Sequence, residues 1–222
     1  MCGRFVLVSP FTLIAEGFRI RDGNGDLKPR YNIAPGQDIL AVVFEEGTRR
    51  LSRFRWGLIP SWADGPSTGN RMINARAETV AEKPSFRSAF DKRRCLIVAD
   101  GFYEWRRQGK RKSPVYVSMK FQKPFGFAGL YEIWHSPEGR EIRSCTIITT
   151  EANDLLRPVH DRMPVIMHKE NEDDWLVDPA VHDKNRLLAL LRPYPAGEMK
   201  VYDVSPRVNT PANDSPDNIK PL

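Results

Sequence analysis

Position 2 of this 222-residue chain is a cysteine, small enough after Met1 for the initiator methionine to be removed. Removal leaves an α-amine and a thiol on one residue, a 1,2-aminothiol. Their reference pKa values, about 8 and about 8.5, are close enough to neutrality that modest shifts give neutral amine and thiolate at pH 7. With an activated acyl group, the thiolate attacks while the amine serves as local base. With an aldehyde, the amine condenses to an imine and the thiol closes a five-membered thiazolidine that holds the carbon by two bonds. The plain alternative is a cysteine packed as a small hydrophobe.

Further segments narrow the choice. They are MCGRF (1–5), RYNIAPGQ (30–37), INARAET (73–79) with ADGFYEW (99–105), and HDRMPV (160–165). In order and spacing they resemble the SOS-response-associated peptidase (SRAP) family, the abasic-site processing proteins. WGLIPSW (56–62) and the tail 204–222 fit the same pattern, so the resemblance spans essentially the whole chain. It implies a protein that acts on single-stranded DNA with abasic sites, whose open-chain sugar is the aldehyde an aminothiol needs. It further implies self-removal of Met1, a reversible thiazolidine link from Cys2 to the sugar that shields the lesion, and an associated lyase activity. The rival reading is an amino-terminal-nucleophile amidohydrolase or glutamine amidotransferase, and a third is a non-covalent single-strand binding module.

The remaining site residues follow from that chemistry. Glu104 lies between Tyr103 and Trp105, where an aromatic setting raises a carboxyl pKa and suits it to shuttle protons. Its alternative is an exposed strand carboxylate paired with Arg106 or Lys110. His160 can protonate the sugar ring oxygen or contact the adjacent phosphate, with Asp161 orienting the ring or capping a turn. Asn74 offers donor and acceptor without charge, and the resemblance places it beside Cys2. Arg76, on the same face as Asn74 if the stretch is extended, joins Arg4 and Arg162 as the expected phosphate clamp. Trp62, Phe102 and Trp105 are the expected stacking or wedge residues against unstacked bases, with core packing as the alternative for each. Arg106, Arg107, Lys110, Arg111 and Lys112 form a hairpin-like basic loop, and this run and Arg93–Arg94 are either solvated charge or an extension of the DNA track. One departure from the family pattern is Met163 after HDR. Cys95, Cys145, Trp56 and Trp134 read as core, and Pro35–Gly36 as a turn near Cys2.

These residues need a scaffold. Helical patterns fit 10–18, Ser85–Lys92, Asn153–Arg157, Glu170–Val177 and Asp183–Leu191. Short strands rich in Val, Ile, Phe and Tyr fit Ile39–Phe44, Leu51–Trp56, Cys95–Ala99, Pro114–Met119, Phe125–Leu130, Ile142–Thr150 and Pro164–Met167. DGNGD (22–26) opens like a calcium loop, but Leu27 and Ile33 stand where its glycine and glutamate belong, leaving a surface turn. Strands and helices do not alternate as βαβ units, so the expected fold is α+β with a mainly antiparallel sheet. The resemblance adds a bifurcated, partly barrel-like sheet flanked by short helices, in one domain over 1–222.

Composition sets the outer bounds. Hydrophobic residues make up 41% and charged residues 28%, which excludes a fibrous or wholly disordered chain. The longest apolar runs are too short to span a bilayer, and Ser9–Pro10 interrupts any signal-like stretch. Three scattered cysteines argue against a disulfide framework or zinc site and for a reducing, cytoplasmic setting. A net charge of +6 suits a polyanion partner. No cofactor, metal, membrane or obligate protein partner is expected, and the chain reads as a monomer.

Overall fold

The structure, a computed structural model, describes residues 2–21, 27–109, 111–177 and 183–222. The turn expected at 22–26 and residue 110 of the basic run lie outside those residues. Among the described residues, twelve strands and four short α-helices make a mixed α+β fold. None of its described helices is long and apolar enough to cross a membrane.

One sheet closes on itself. Strands β3 (Asp38–Glu45), β4 (Thr48–Trp56), β6 (Arg94–Ala99), β9 (Phe125–His135) and β10 (Glu141–Glu151) pair in the order β10–β4–β3–β6–β9, and β9 pairs back to β10. Only the β10–β4 pairing within this ring is parallel. The sequence explains the closure. β6 is buried at every position, as a strand covered on both faces must be, and Phe54, Trp56, Ile97 and Phe127, which the register sets on one face, fill the interior. Beyond the ring, β10 continues and takes β5 (Asn74–Arg76) and β11 (Arg162–Pro164) as new neighbours.

A second sheet, wholly antiparallel, runs β12 (Met199–Asp203), β8 (Arg111–Met119), β7 (Gly101–Gln108), β1 (Phe5–Leu7), β2 (Arg30–Ile33). Its two faces separate by the two-residue strand period. Phe102, Val115 and Val117 join the main core, while Tyr103 and Tyr116 pack outward against Val204 and Val208 of the carboxyl-terminal tail. The fold is therefore the expected α+β sheet, bifurcated and partly barrel-like.

Several element boundaries depart from the sequence pattern. Helix α1 (Phe11–Phe18) follows Pro10 as expected, and α2 (Arg87–Lys92) and α4 (Lys184–Ala189) sit inside their expected spans. The span 170–177 divides into a 3-10 turn, Lys169–Asn171, and α3 (Glu172–Leu176). No helix forms over 153–157. There Asn153 Oδ1 accepts from the Leu156 N–H at 3.0 Å, so its side chain builds a turn in competition with helical hydrogen bonding. The strand expected at 164–167 ends at Pro164, which offers no N–H, and Ile166 makes only an isolated bridge to Phe127. Cys95, Cys145, Trp56 and Trp134 are buried as expected, and so is Met163. Arg94 is also buried, donating to four backbone carbonyls, and Arg93 pairs with Glu132, so this pair is structural.

Candidate active site

The β1 strand lies between two partners, and this fixes where Cys2 sits. Phe5 is in register with Ile33 of β2 and with Phe102 of β7, and the Tyr103 N–H donates to Arg4 O at 2.9 Å. Cys2, just upstream, is fully buried. Asn74 reaches it from β5, donating from Nδ2 to Cys2 O at 2.9 Å, while its buried Oδ1 has no partner. That amide therefore holds an unused acceptor next to the cysteine.

Glu104 enters from β7 and is 2% exposed, so it is not the surface carboxylate paired with Arg106. Arg106 instead pairs with Asp203 at 2.8 Å. Burial raises the Glu104 carboxyl above the usual carboxylate range, with the positive chain terminus and His160 pulling it down. The expected direction holds, but the expected cause does not. Tyr103 and Trp105 flank Glu104 in sequence and therefore project to the opposite face of the strand. The Cys2 thiol is also pushed up strongly, first by burial and then by Glu104. Burial thus disfavours the thiolate while Met1 is still attached. A proton must leave that sulfur when it reacts, and Glu104 interacts electrostatically with both the thiol and His160.

His160 closes the 154–159 turn, its N–H bonded to Leu156 O at 2.9 Å. Its Nδ1 accepts from the Arg162 N–H at 3.0 Å and lies 2.7 Å from Asp161 Oδ1. The first contact uses Nδ1 as an acceptor and the second needs it as a donor, so the two contacts are alternatives set by which ring nitrogen carries the hydrogen.

The expected DNA contacts divide. Trp62 is 61% exposed and free to stack, and Arg76 projects outward from β5. Phe102 is fully buried with its ring edge-on to Phe127, so it is core, and its role as a base-stacking residue is withdrawn. Trp105 is half-buried and donates from Nε1 to Asn209 Oδ1 at 2.7 Å. Arg162 is bonded through both nitrogens to Glu78, at 2.6 and 3.0 Å, and also donates to Thr149 O. Arg4 is further from a phosphate clamp. Its Nη1 donates to Asn32 Oδ1 and Val208 O, at 2.7 and 2.8 Å, and its guanidinium lies 5.7 Å from the Trp105 ring centroid.

Sequence reasoning missed Asn32. It is fully buried, and its Nδ2 lies within bonding distance of the carbonyls of Val208, Thr210 and Asn213. No local pattern signals it, because those carbonyls lie about 180 residues further along the chain. With Arg4 it locks the tail onto the strand pair that carries Cys2. Gly36 has φ +84°, and its N–H bonds Trp56 O at 2.8 Å, so the expected turn is present and needs glycine.

A buried cysteine at position 2, bonded by an amide and electrostatically linked to a raised carboxyl that also senses a histidine, makes a candidate site on a mixed α+β scaffold. The chain belongs to the SOS response associated peptidase (SRAP) family, whose model matches residues 1–211. It is 49% identical over 223 residues to the abasic site processing protein YoqW of Bacillus subtilis, covering 99% of each chain. It is 30% identical over 230 residues to the abasic site processing protein YedK of Escherichia coli, covering 100% of both. A crystal structure of a Bacteroides thetaiotaomicron protein superposes with a TM-score of 0.90 at 27% identity, covering 100% of both chains.

Proposed function

We propose that this protein processes abasic sites in single-stranded DNA by linking Cys2 covalently to the opened sugar. The reading is supported most by one observation. Asn74 bonds the Cys2 backbone while Glu104 interacts electrostatically with both the thiol and His160. Loss of Met1 by hydrolysis frees the amine, and the unused Asn74 Oδ1 is a ready acceptor for its N–H. The amine adds to the sugar aldehyde at C1′, and the carbinolamine loses water to give an imine. Glu104, whose buried carboxyl holds a proton more readily than a free one, serves as the acid for the departing water. The thiol then adds to the imine carbon while its proton passes to the basic groups of the site. The balance is aldehyde plus aminothiol giving thiazolidine plus one water, and the reverse requires only water and the same proton shuttle. The imine stage also accounts for lyase behaviour, because it acidifies the adjacent sugar carbon for elimination of the 3′ phosphate.

The test is a denaturing gel with a single-stranded oligonucleotide carrying one abasic site, and intact mass on the product. A shifted species with Met1 absent and the sugar on Cys2 is expected, and Cys2→Ala should abolish it while largely keeping DNA binding. An undiminished adduct in Cys2→Ala defeats the mechanism. No adduct from protein shown to lack Met1 points to acyl transfer instead.

A further inference from the structure

We propose that a strip of cations on the outer face around β4 binds the phosphodiester backbone of the strand that enters the candidate site. The inference rests on the single-stranded DNA reading above. Two concavities of about 340 and 390 Å³ adjoin here and share Asp38 and Arg53. The first is lined by Lys28, Arg30 and Arg53, the second by Arg53, Arg55, Arg140 and Arg143.

The partners of these cations decide what the strip is for. Among the described residues, the side chains of Lys28, Arg53 and Arg140 make no ion pair, and Arg55 makes a single bond, from Nη2 to Asn70 Oδ1 at 3.2 Å. Arg30 is paired with Asp214 and Arg143 with Glu45. The other acids of the two concavities are Asp38, opposite Arg55 in register, and Glu141, which faces His135 at 3.4 Å. Four cations thus retain donors for an outside acceptor. Planar guanidinium forks match phosphate oxygens, and a row of them matches a repeating phosphodiester better than a single small anion.

The strip also connects to the site. Arg55 Nη2 packs over Gly36, 4.0 Å from where a Cβ would stand. Arg30 Nη2 donates to Gln37 Oε1 at 2.7 Å, at the other side of the same turn. That turn follows β2, whose Ile33 is paired with Phe5, three residues beyond Cys2. A strand held at Cys2 therefore reaches the strip by crossing the Pro35–Gly36 turn. Arg4 and Arg162, expected to hold phosphate, are already bonded to the tail and to Glu78, which leaves the strip as the better supply of phosphate donors.

The experiment compares two oligonucleotides, each with and without an abasic site: one of a few nucleotides, spanning the site alone, and one several times longer. The protein variants are Arg53→Glu with Arg140→Glu, both exposed, and the milder Arg53→Gln with Arg140→Gln. The Glu pair should weaken binding of the long undamaged strand about tenfold or more, and either pair should lower the salt slope of log affinity by about 1 to 1.5. Adduct formation on the short abasic strand should keep its rate. Unchanged affinity for the long strand, or equal losses on long and short strands, overturns the strip. If the unaltered protein forms no adduct on either abasic strand, the abasic-site reading fails while the undamaged-strand comparison still tests the strip.

Discussion

Glu104 shows how a site residue sacrifices stability for chemistry. Its folded pKa lies above the unfolded value, so its contribution is full below the unfolded value and lost as pH rises through the folded one. Glu104→Gln should therefore be relatively more stable than the parent at pH 8 than at pH 4, by urea unfolding at both. The same variant should slow adduct formation and reversal together without changing DNA affinity, and an equal fall in affinity would make Glu104 structural. Glu78 has the opposite sign. Its hydrogen bond from Arg162 lowers its pKa, so that contribution is present at neutral pH and fades as acid titrates it. Of the candidate site, Cys2, Asn74, Glu104 and His160 were expected from the motifs that contain them, and the fold sets Asn74 against Cys2 and Glu104 into the buried interior beside it. The lock residue Asn32 was not, since its three carbonyl partners lie about 180 residues away and no local pattern encodes them.

At the scale of elements, hydrophobic pattern located the long strands and failed on the short ones. The three-residue strands β1 and β5 carry too few positions to display a period, yet they hold the residues next to Cys2 and Asn74 itself. Phe102 was misassigned because an aromatic in a motif does not declare its face, whereas its register opposite Phe5 does. The tail is an element in the same sense. Asn32→Ala removes the amide shared by three carbonyls and one arginine, and should cost about 3 kcal/mol in urea unfolding. Its effect on adduct rate should be non-additive with truncation before Pro206, since both remove the same lock. A tighter constraint lies in the Trp56–Trp62 loop. A Cβ on Gly57, at φ +128°, would stand 2.6 Å from Gly69 O, and the reverse substitution meets Gly57 O at 2.4 Å. Gly57→Ala should therefore displace exposed Trp62, read as destabilisation together with weaker binding of undamaged single strands.

For the molecule as a whole, a closed ring supplies rigidity and its overhang supplies function. The interior of the ring is apolar, while β10 runs past it to carry Asn74 on one neighbour and Arg162 on another. A buried ion pair ties the ring to the helical layer, Arg49 with Glu172 at 2.8 Å, both nearly inaccessible. Glu172→Ala leaves Arg49 and Lys169 short of a partner and should cost about 3 kcal/mol, seen as a lower urea midpoint with the slope unchanged. Fold class was legible from the absence of βαβ alternation. The barrel-like closure came only with the family resemblance, since it depends on β9 meeting β10 while β10 also meets β4, which no local pattern encodes.

The lock on Arg4 also has a meaning for folding. Val208 and Asn209, whose carbonyls hold Arg4, lie more than two hundred positions after Cys2. A chain that lacks them therefore carries Cys2 without this lock. The surroundings of Cys2 are therefore assembled only when the segment around 208–213 has packed back onto β2, which couples the two distant stretches in folding.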